Sequence, residues 1–267
     1  MTTKSTPQAD LKQQVSALKF YGLLAHWEEL TDEALAWIRQ WIEWETRERA
    51  QRGLQRRLRA ARIGRFKPLA DFDWDWPTQC DKDTVSTLMH LGFIAEAANV
   101  ILVGPNGVGK SLIAQNLAHQ AVIHGRSALF VNAAQMLGDL AAQDGDNALR
   151  RRFAHYARPD VLVVDEIGYL SYGTRHADLL FEIVNRRYER KPTIITTNRP
   201  FAEWSEVFPN AACVVSIVDR LIHHAEILVI EGESYRMHEA KQRAARKTAA
   251  KSRKRRARST NNADNTV

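Results

Sequence analysis

The run from Gly104 to Ser111 constrains the fold of this chain more than any other feature. It has the sequence Gly-Pro-Asn-Gly-Val-Gly-Lys-Ser and matches G-x-x-x-x-G-K-[ST], in which glycines let backbone N–H groups curl around phosphates. The pattern has this meaning between a strand and a helix, and here the apolar run Val100–Val103 precedes it and a helical stretch, Leu112–His124, follows it. We therefore predict a nucleotide-binding P-loop, with an ordinary glycine-rich turn as the alternative.

Two side chains of this loop are suited to phosphate and metal chemistry. Lys110 would contact the β- and γ-phosphates of ATP, and the Ser111 hydroxyl would ligate Mg²⁺. The helix that follows presents its N-terminus, which favours anions. We therefore predict ATP and Mg²⁺ as ligands. The predicted nucleotide-binding residues are Gly104, Pro105, Asn106, Gly107, Val108, Gly109, Lys110, Ser111 and Leu112.

Five short apolar runs, rich in branched residues, predict strands between about Val85 and Arg236. Almost continuously apolar runs are typical of strands that are covered on both faces. Because helical stretches alternate with them, we predict an α/β fold of the P-loop NTPase type with a parallel five-stranded sheet flanked by helices. The runs are Val100–Val103, Ala128–Val131, Val161–Val164, Thr193–Thr197 and Ile227–Ile230.

Polar residues follow the third and fourth of these runs. Asp165 and Glu166 come directly after the third run, about fifty residues beyond the P-loop. Asp165 would hold Mg²⁺ through water, and Glu166 would orient or activate the attacking water. Asn198 follows the fourth run and could reach the γ-phosphate or that water, although Asn198-Arg199-Pro200 also favours a turn. All three would lie at the carboxyl edge of the sheet, where such sheets bind ligands.

The residues before the connector predict a small helical domain. Thr31 can cap a helix that no proline interrupts before Arg62. Trp37, Trp41 and Trp44 recur at helical spacing, so they share one face of this helix. We expect that face to pack into a core.

Changes in composition divide the chain into four segments. Residues 1–65 form the helical N-terminal domain, and residues 66–84 form a connector that two prolines interrupt. Residues 85–238 form the ATPase domain. Residues 239–267 form a basic tail that we expect to be disordered without DNA.

The net charge of +7 is concentrated in this tail. Ten Lys and Arg residues stand there against two acidic residues, so the tail carries a net charge of +8 and the rest of the chain −1. A segment of this kind is attracted to nucleic-acid phosphates; the alternative is a solvated terminus without a partner. The predicted DNA contacts in the tail are Lys241, Arg243, Arg253, Lys254, Arg255 and Arg256.

Targeting and metal signals are weak in this sequence. No apolar run is long enough for a membrane span, and residues 1–10 are polar, so we expect a cytoplasmic protein. We also expect it to associate with the nucleoid when it is active. Cys80 and Cys213 have no metal-type spacing, and we expect two reduced thiols. His223 and His224 are adjacent, and adjacent side chains on a helix point in different directions. Since no cysteine or carboxylate set completes a site with them, we interpret them as structural or interfacial.

Taken together, the motifs resemble the IstB family of AAA+ ATPases, which are encoded beside the transposase in one class of bacterial insertion sequence. The resemblance spans nearly the whole chain. Besides the P-loop it includes Val-Asp-Glu-Ile-Gly-Tyr at Val164–Tyr169, Ile-Thr-Thr-Asn at Ile195–Asn198, and Asp-Arg-Leu at Asp219–Leu221. The helicase loader DnaC is a close relative of this family and the initiator DnaA a more distant one.

The resemblance implies roles that spacing does not show. Asn198 matches the sensor-one position, and Arg220 matches an arginine finger that enters the ATP site of the neighbouring subunit. The segment Gln135–Pro159 matches the helical insertion by which related initiators contact DNA. After the last strand the chain has no room for a helical lid, so Arg236 is the one nearby candidate for a sensor-two arginine. The implied catalytic residues are Lys110, Glu166, Asn198 and Arg220, and the DNA contacts of the insertion are Arg150, Arg151 and Arg152.

The function implied by the resemblance is that of a transposition helper. Such a protein binds and hydrolyses ATP, forms an ATP- and DNA-dependent homo-oligomer on duplex DNA, and delivers the target to the transposase of the same element. A DnaC-like replicative helicase loader is the nearest alternative. A small-molecule P-loop kinase is disfavoured by Glu166 and Asn198. A DNA-binding protein with a relic P-loop is disfavoured by the complete set of Lys110, Ser111, Asp165 and Glu166.

Overall fold

The computed structural model describes residues 7–168, 172–209 and 211–243. The chain divides into two compact units, one ending at Arg59 and the other beginning at Ala60. Within the described ranges, no helix is both long enough and apolar enough to cross a membrane.

The first unit is helical. Thr31 caps its longest helix, because the Thr31 Oγ1 accepts a hydrogen bond of 3.3 Å from the backbone N of Ala34, which confirms the predicted cap. The helices are α1 (Pro7–Ala17), α2 (Tyr21–Ala25), a 3₁₀ turn (Trp27–Glu29) and α3 (Asp32–Ala61), whose last residues belong to the second unit.

The expectation that the tryptophan face of α3 packs into a core is wrong. Trp37, Trp41 and Trp44 keep 53%, 56% and 53% of their surfaces exposed. Helical spacing shows that residues share a face, but it does not show which face is buried. The buried face of α3 carries Ile38 and Ile42 instead. The core of this unit consists of Leu11, Val15, Trp27, Ile38 and Ile42.

A five-stranded parallel sheet forms the centre of the second unit and confirms the predicted fold. Its spatial order is β2-β3-β4-β1-β5, and every neighbouring pair is parallel. The last strand begins and ends slightly earlier than the sequence predicts. The strands are β1 (Asn99–Val103), β2 (Ala128–Asn132), β3 (Val161–Ile167), β4 (Thr193–Thr197) and β5 (Ala225–Val229).

Helices connect these strands and cover the sheet. The P-loop leads from β1 into α6, as predicted, and two helices, α7 and α8, occupy the segment between β2 and β3. The helices are α4 (Lys82–Met89), α5 (Gly92–Ala95), α6 (Lys110–Ile123), α7 (Ala133–Ala141), α8 (Asp146–Ala157), α9 (Thr174–Arg187), α10 (Trp204–Val207) and α11 (Ala211–Ile222), with 3₁₀ turns at Leu69–Asp71 and Phe201–Glu203. A last helix, α12, covers residues 235–243.

The sheet order determines which residues meet at the functional edge. The central strands β3 and β4 are buried along almost their whole length, as expected when helices lie on both faces. Because all the strands run in one direction, the carboxyl ends of β1, β3 and β4 lie at one edge of the sheet. The P-loop follows β1 and Asn198 follows β4, whereas Asp165 and Glu166 lie within the last three residues of β3, which extends three residues beyond the predicted apolar run.

Candidate nucleotide-binding site

The P-loop glycines are required both by the backbone and by close neighbours. Gly107 and Gly109 have φ angles of +85° and +109°, a region that side-chain-bearing residues rarely adopt. A Cβ atom on Gly107 would lie 2.2 Å from Ser234 Oγ, and one on Gly109 would lie 2.4 Å from Phe72 Cε2. The connector, through Phe72, and the segment after β5, through Ser234, therefore both pack closely against the loop.

A cavity of about 820 Å³ opens over this loop. Its volume lies within the range of roughly 300–1,000 Å³ that is usual for small-molecule sites. Its walls bring together side chains that are far apart in the sequence: Lys110, Ser111, Glu166, Asn198 and Arg236. The sequence predicted the first four of these as site residues, and the cavity places them in one chamber.

Lys110 lies at the floor of the cavity. Its Nζ donates hydrogen bonds to the carbonyl oxygens of Gly104, at 2.6 Å, and Pro105, at 2.7 Å. Mainly because of burial, the pKa of Lys110 is lowered to about 8; the carboxylates of Asp165 and Glu166 oppose this shift, and the positive charge of Arg236 adds to it. The ammonium is therefore held in a position where an anionic ligand would favour its charged form.

Two hydroxyl groups fix the carboxylate of Asp165. Ser111 Oγ donates a hydrogen bond of 2.8 Å to Asp165 Oδ1, and Thr196 Oγ1 donates one of 2.6 Å to the same oxygen. This arrangement suits Mg²⁺, because a hydroxyl ligand and an outer carboxylate that accepts from it are usual parts of such a site. Thr196 was not among the predicted site residues, since nothing in the order of residues indicates that β4 directs this hydroxyl at β3.

Glu166 lies at an irregular point of β3. The register with β4 shifts between Val164 and Ile167, and Glu166 has a φ angle of +63°. Its backbone N donates a hydrogen bond of 2.8 Å to Thr196 Oγ1. A bulge of this kind re-aims side chains beside functional sites, and here Asp165 is buried while Glu166 is exposed to the cavity.

Asn132 at the end of β2 holds the side chain of Glu166. Its Nδ2 donates a hydrogen bond of 2.9 Å to Glu166 Oε2. Its Oδ1 accepts one of 3.0 Å from the backbone N of Ala134, so the same side chain caps α7. Asn132 was not among the predicted site residues, although an Asn between an apolar run and a helix is a recognisable N-cap signal.

Asn198 lies at the end of β4 and lines the cavity. Within the described part of the chain, its Oδ1 is buried and has no hydrogen-bond partner. A buried amide oxygen without a partner is unusual. The side chain is therefore available to a group that enters the cavity.

The connector contacts α12 and the residues just before it at the opening of the cavity. Trp76 Nε1 donates a hydrogen bond of 2.8 Å to the Glu233 carbonyl, and its ring lies 5.7 Å from that of Tyr235. Lys67 Nζ lies 2.8 Å from Glu239 Oε1. The backbone N of Tyr235 donates to the Gly107 carbonyl at 3.0 Å, so α12 begins directly on the P-loop. This contact places Arg236 in the cavity wall.

Arg220, the candidate arginine finger, does not line this cavity. Its Cζ lies 4.5 Å from the centre of the Phe181 ring. Its Nη1 is buried and has no hydrogen-bond partner among the described residues. The guanidinium is therefore packed between α11 and α9, away from the phosphate-binding loop of its own chain.

The predicted DNA contacts differ in their surroundings. Arg150 and Arg151 are exposed on α8. Arg152 forms an ion pair with Asp139 of α7, and its Cζ lies 5.6 Å from the centre of the Tyr156 ring. On α12, Lys241 and Arg243 are exposed. The remaining candidates lie outside the described residues: Arg253, Lys254, Arg255 and Arg256.

The expectation that His223 and His224 point in different directions is wrong. Helix α11 ends at Ile222, so both histidines lie in the turn before β5 rather than on the helix. Their ring centres are 4.1 Å apart, and the carboxylate of Glu189 lies beside them. The sequence did not indicate this carboxylate, because it is more than thirty positions away.

A solved structure with a similar fold is that of DnaI. It covers 64% of this chain and 91% of its own, with a TM-score of 0.53 and 20% identity. At this identity the likeness concerns the fold alone.

Two proteins of insertion sequences are similar to the chain in sequence. The protein named as the ATP-binding protein of IS21 from Pseudomonas aeruginosa is 36% identical over 237 residues, which are 86% of this chain and 89% of the relative. The one named for IS5376 from Geobacillus stearothermophilus is 31% identical over 198 residues, 74% of this chain and 79% of the relative. The family model described as IstB-like ATP binding protein matches residues 8–244. The chain therefore belongs to the family of IstB-like ATP-binding proteins.

Proposed function

We propose that this protein is an ATP-hydrolysing helper of DNA transposition. It acts in the cytoplasm at the nucleoid, assembles on duplex DNA in the presence of ATP, and delivers this target to the transposase of the same element. The observation that carries the proposal is the convergence of Lys110, Ser111, Asp165 and Glu166 at one edge of the sheet. The two relatives of this protein are named as proteins of insertion sequences, which supports a role in transposition.

Nucleotide binding follows from the loop and its walls. The triphosphate lies along the backbone N–H groups of the P-loop, with Lys110 at the β- and γ-phosphates. Ser111 and Asp165, which are hydrogen-bonded to each other, would hold Mg²⁺, and the ion would offset the negative charge of the phosphates. The aromatic walls that the connector and α12 provide, Phe72, Trp76 and Tyr235, suit the flat face of an adenine ring.

Hydrolysis needs a base, an orienting group and a cation for the developing charge. Glu166 activates the attacking water, and the amide of Asn198 orients it. Arg236 contacts the phosphates from within the chain, since it lies in the cavity wall. Arg220 supplies the second cation to the site of a neighbouring subunit, so hydrolysis depends on assembly.

Contact with DNA falls to exposed basic residues. Arg150 and Arg151 project from α8, and Lys241 and Arg243 begin the basic tail on α12. Arginine and lysine bind the phosphate backbone without regard to sequence and release counterions as they do so. Because α12 begins on the P-loop, Lys241 and Arg243 lie on a helix that starts beside the nucleotide site.

Two alternatives make different predictions. A replicative helicase loader would bind a hexameric helicase through its N-terminal unit and would not bind a transposase. A small-molecule kinase would transfer phosphate to a soluble acceptor and would lose little activity when Glu166 is replaced. Binding assays with each partner and product analysis separate these alternatives.

The assembly is tested by electron microscopy of the protein with duplex DNA, with and without ATP. The variants are Lys110→Ala, which removes the charge at the phosphates, and Glu166→Gln, which keeps the shape but removes the base. We expect ATP-dependent particles on DNA for the wild type, none for Lys110→Ala, and longer-lived particles for Glu166→Gln. Particles that form equally without ATP, or normal hydrolysis by folded Glu166→Gln, would contradict the proposal.

A further inference from the structure

Three potential metal ligands meet at the end of α9 and the turn between α11 and β5. Glu189 lies two residues after the end of α9, and its φ angle of +54° is in the left-handed region, which ends the helical direction of the chain. His223 Nδ1 and His224 Nε2 each lie 3.8 Å from Glu189 Oε1. One ligand atom from each residue lies within 4.8 Å of the others.

The distances are close to those of a metal centre. Zn²⁺ binds imidazole nitrogen at about 2.0–2.1 Å and carboxylate oxygen at about 2.0–2.2 Å, so neighbouring ligand atoms in a tetrahedral site are roughly 3.4 Å apart. The two 3.8 Å separations exceed this by only a few tenths of an ångström. The separation of the two histidine nitrogens is bounded only by 4.8 Å, so rotations of the exposed side chains have to bring all three ligand atoms together. The donor set, two imidazoles and one carboxylate, suits zinc and related divalent transition metals.

The backbone around these residues is fixed although their side chains are exposed. The carbonyl of His224 accepts a hydrogen bond of 2.7 Å from the backbone N of Asn99, the first residue of β1. The backbone N of His223 donates to the Asp219 carbonyl at 3.1 Å. The side chains of Glu189, His223 and His224 are 54%, 51% and 56% exposed. An ion can therefore reach the two imidazoles without rearrangement of their backbones.

We propose that Glu189, His223 and His224 form a binding site for one divalent transition-metal ion of the zinc type, separate from the nucleotide cavity. Three protein ligands leave a fourth position for water or for a group from another molecule. The ion would join the end of α9 to the end of α11. These are the two helices between which the guanidinium of Arg220 packs on Phe181, so the ion would stabilise this part of the fold.

Tyr188 gives a way to check the proposed ligand atom of His223. The Tyr188 hydroxyl lies 2.6 Å from His223 Nδ1, the nitrogen that faces Glu189. A metal ion on Nδ1 has to displace this hydrogen bond. Removing the hydroxyl should therefore leave the metal affinity unchanged or increase it.

The test measures binding of Zn²⁺ alone to the full chain, by competition with a chromophoric chelator and without nucleotide. A background with Cys80→Ser and Cys213→Ser excludes thiolate ligands. We expect one Zn²⁺ per chain and a rise in Tm when Zn²⁺ is added. Loss of an outer-shell partner already costs about 10–100-fold in metal affinity, and loss of a direct ligand should cost at least as much. The variants His223→Ala, His224→Ala and Glu189→Gln should therefore each lower the Zn²⁺ affinity at least tenfold.

Matched controls keep the result interpretable. His124→Ala removes an exposed histidine at the end of α6 and should bind Zn²⁺ with the same affinity as the background protein. Tyr188→Phe should bind Zn²⁺ with the same or a higher affinity. Each variant's Tm in a metal chelator shows whether it is folded, and Co²⁺ spectra report nitrogen and oxygen ligation directly. The proposal is overturned if the background protein does not compete with the chelator. It is also overturned if folded His224→Ala binds Zn²⁺ undiminished, or if Tyr188→Phe abolishes binding.

Discussion

Asn132 Nδ2 donates a hydrogen bond of 2.9 Å to Glu166 Oε2, and through its Oδ1 the same side chain caps α7. Asn132 ends β2, which is separated from β4 by β3. The hydrogen bond therefore draws the Glu166 carboxylate towards β2, away from the side on which Asn198 and the P-loop lie. One amide thus links the proposed catalytic base to α7. This helix and α8, which carries Arg150 and Arg151, lie between β2 and β3.

Asn132→Ser separates the two roles of this amide. Serine caps helices about as well as asparagine, so stability should be kept, while the hydrogen bond to Glu166 is lost. A hydrogen bond to a charged group contributes roughly 1.5 kcal/mol or more, so its loss should raise ATP turnover without DNA severalfold. Asn132→Ala should show the same turnover but lose about 1 kcal/mol of unfolding free energy with the cap. Steady-state ATPase assays and urea unfolding measure both. Unchanged turnover in Asn132→Ser would show that the amide does not restrain Glu166.

Nucleotide binding should depend on pH through Lys110. Its pKa in the folded chain is lowered to about 8, so the ammonium loses its proton as the pH rises through that value. Phosphates favour the charged form, so ATP affinity should fall above about pH 8, and binding there should take up protons, roughly half a proton per nucleotide at pH 8. Calorimetry in buffers of different ionisation enthalpy measures this uptake.

Lys110→Arg is the control for this titration, because a guanidinium keeps its proton throughout this range. Any nucleotide binding that it retains should occur without the proton uptake near pH 8. If the wild type binds ATP without proton uptake between about pH 8 and pH 9, or if Lys110→Arg shows the same uptake, Lys110 is not the titrating group.

The arginines of α8 should differ in their effect on DNA binding. Arg150 and Arg151 are exposed, whereas Arg152 is paired with Asp139. Arg150→Gln and Arg151→Gln should each reduce the slope of log affinity against log salt by about 0.9. Arg152→Gln should leave the slope nearly unchanged and lower Tm instead. Fluorescence anisotropy over a salt series checks this. Equal slopes for all three variants and the wild type would place the DNA contact elsewhere.

The parts of the site that were predictable from sequence are those encoded by short motifs. The P-loop and the pair Asp165 and Glu166 could be found because the chemistry fixes their spacing along the chain. Thr196 and Asn132 could not be found in this way, because their roles depend on which strands become neighbours. The left-handed backbone of Glu166 arises from the bulge between β3 and β4, which no local pattern indicates.

The surface was harder to predict than the core. Five apolar runs gave the strands, since a covered parallel strand must be apolar on both faces. On α3, however, both Trp37 and Ile38 belong to stripes at helical spacing, and the sequence does not decide which stripe other helices cover. Likewise, His223 and Glu189 meet only because α9 and α11 end at the same place in the fold.

The proposed hydrolysis of ATP between subunits of an assembly can be examined by mixing two inactive variants. Glu166→Gln keeps Arg220 but lacks the base, and Arg220→Ala keeps the base but lacks the cation. Each alone should bind ATP and hydrolyse it poorly, even on DNA, because a missing transition-state group affects hydrolysis more than binding.

The measurement is the ATPase rate of the mixture on duplex DNA, with co-assembly confirmed by differently labelled subunits. If Arg220 acts on the neighbouring site, some interfaces in the mixture join an intact base to an intact cation. The rate should then exceed the sum of the two variants alone, with the maximum near equal proportions. A rate that stays at that sum while the subunits co-assemble would contradict hydrolysis between subunits.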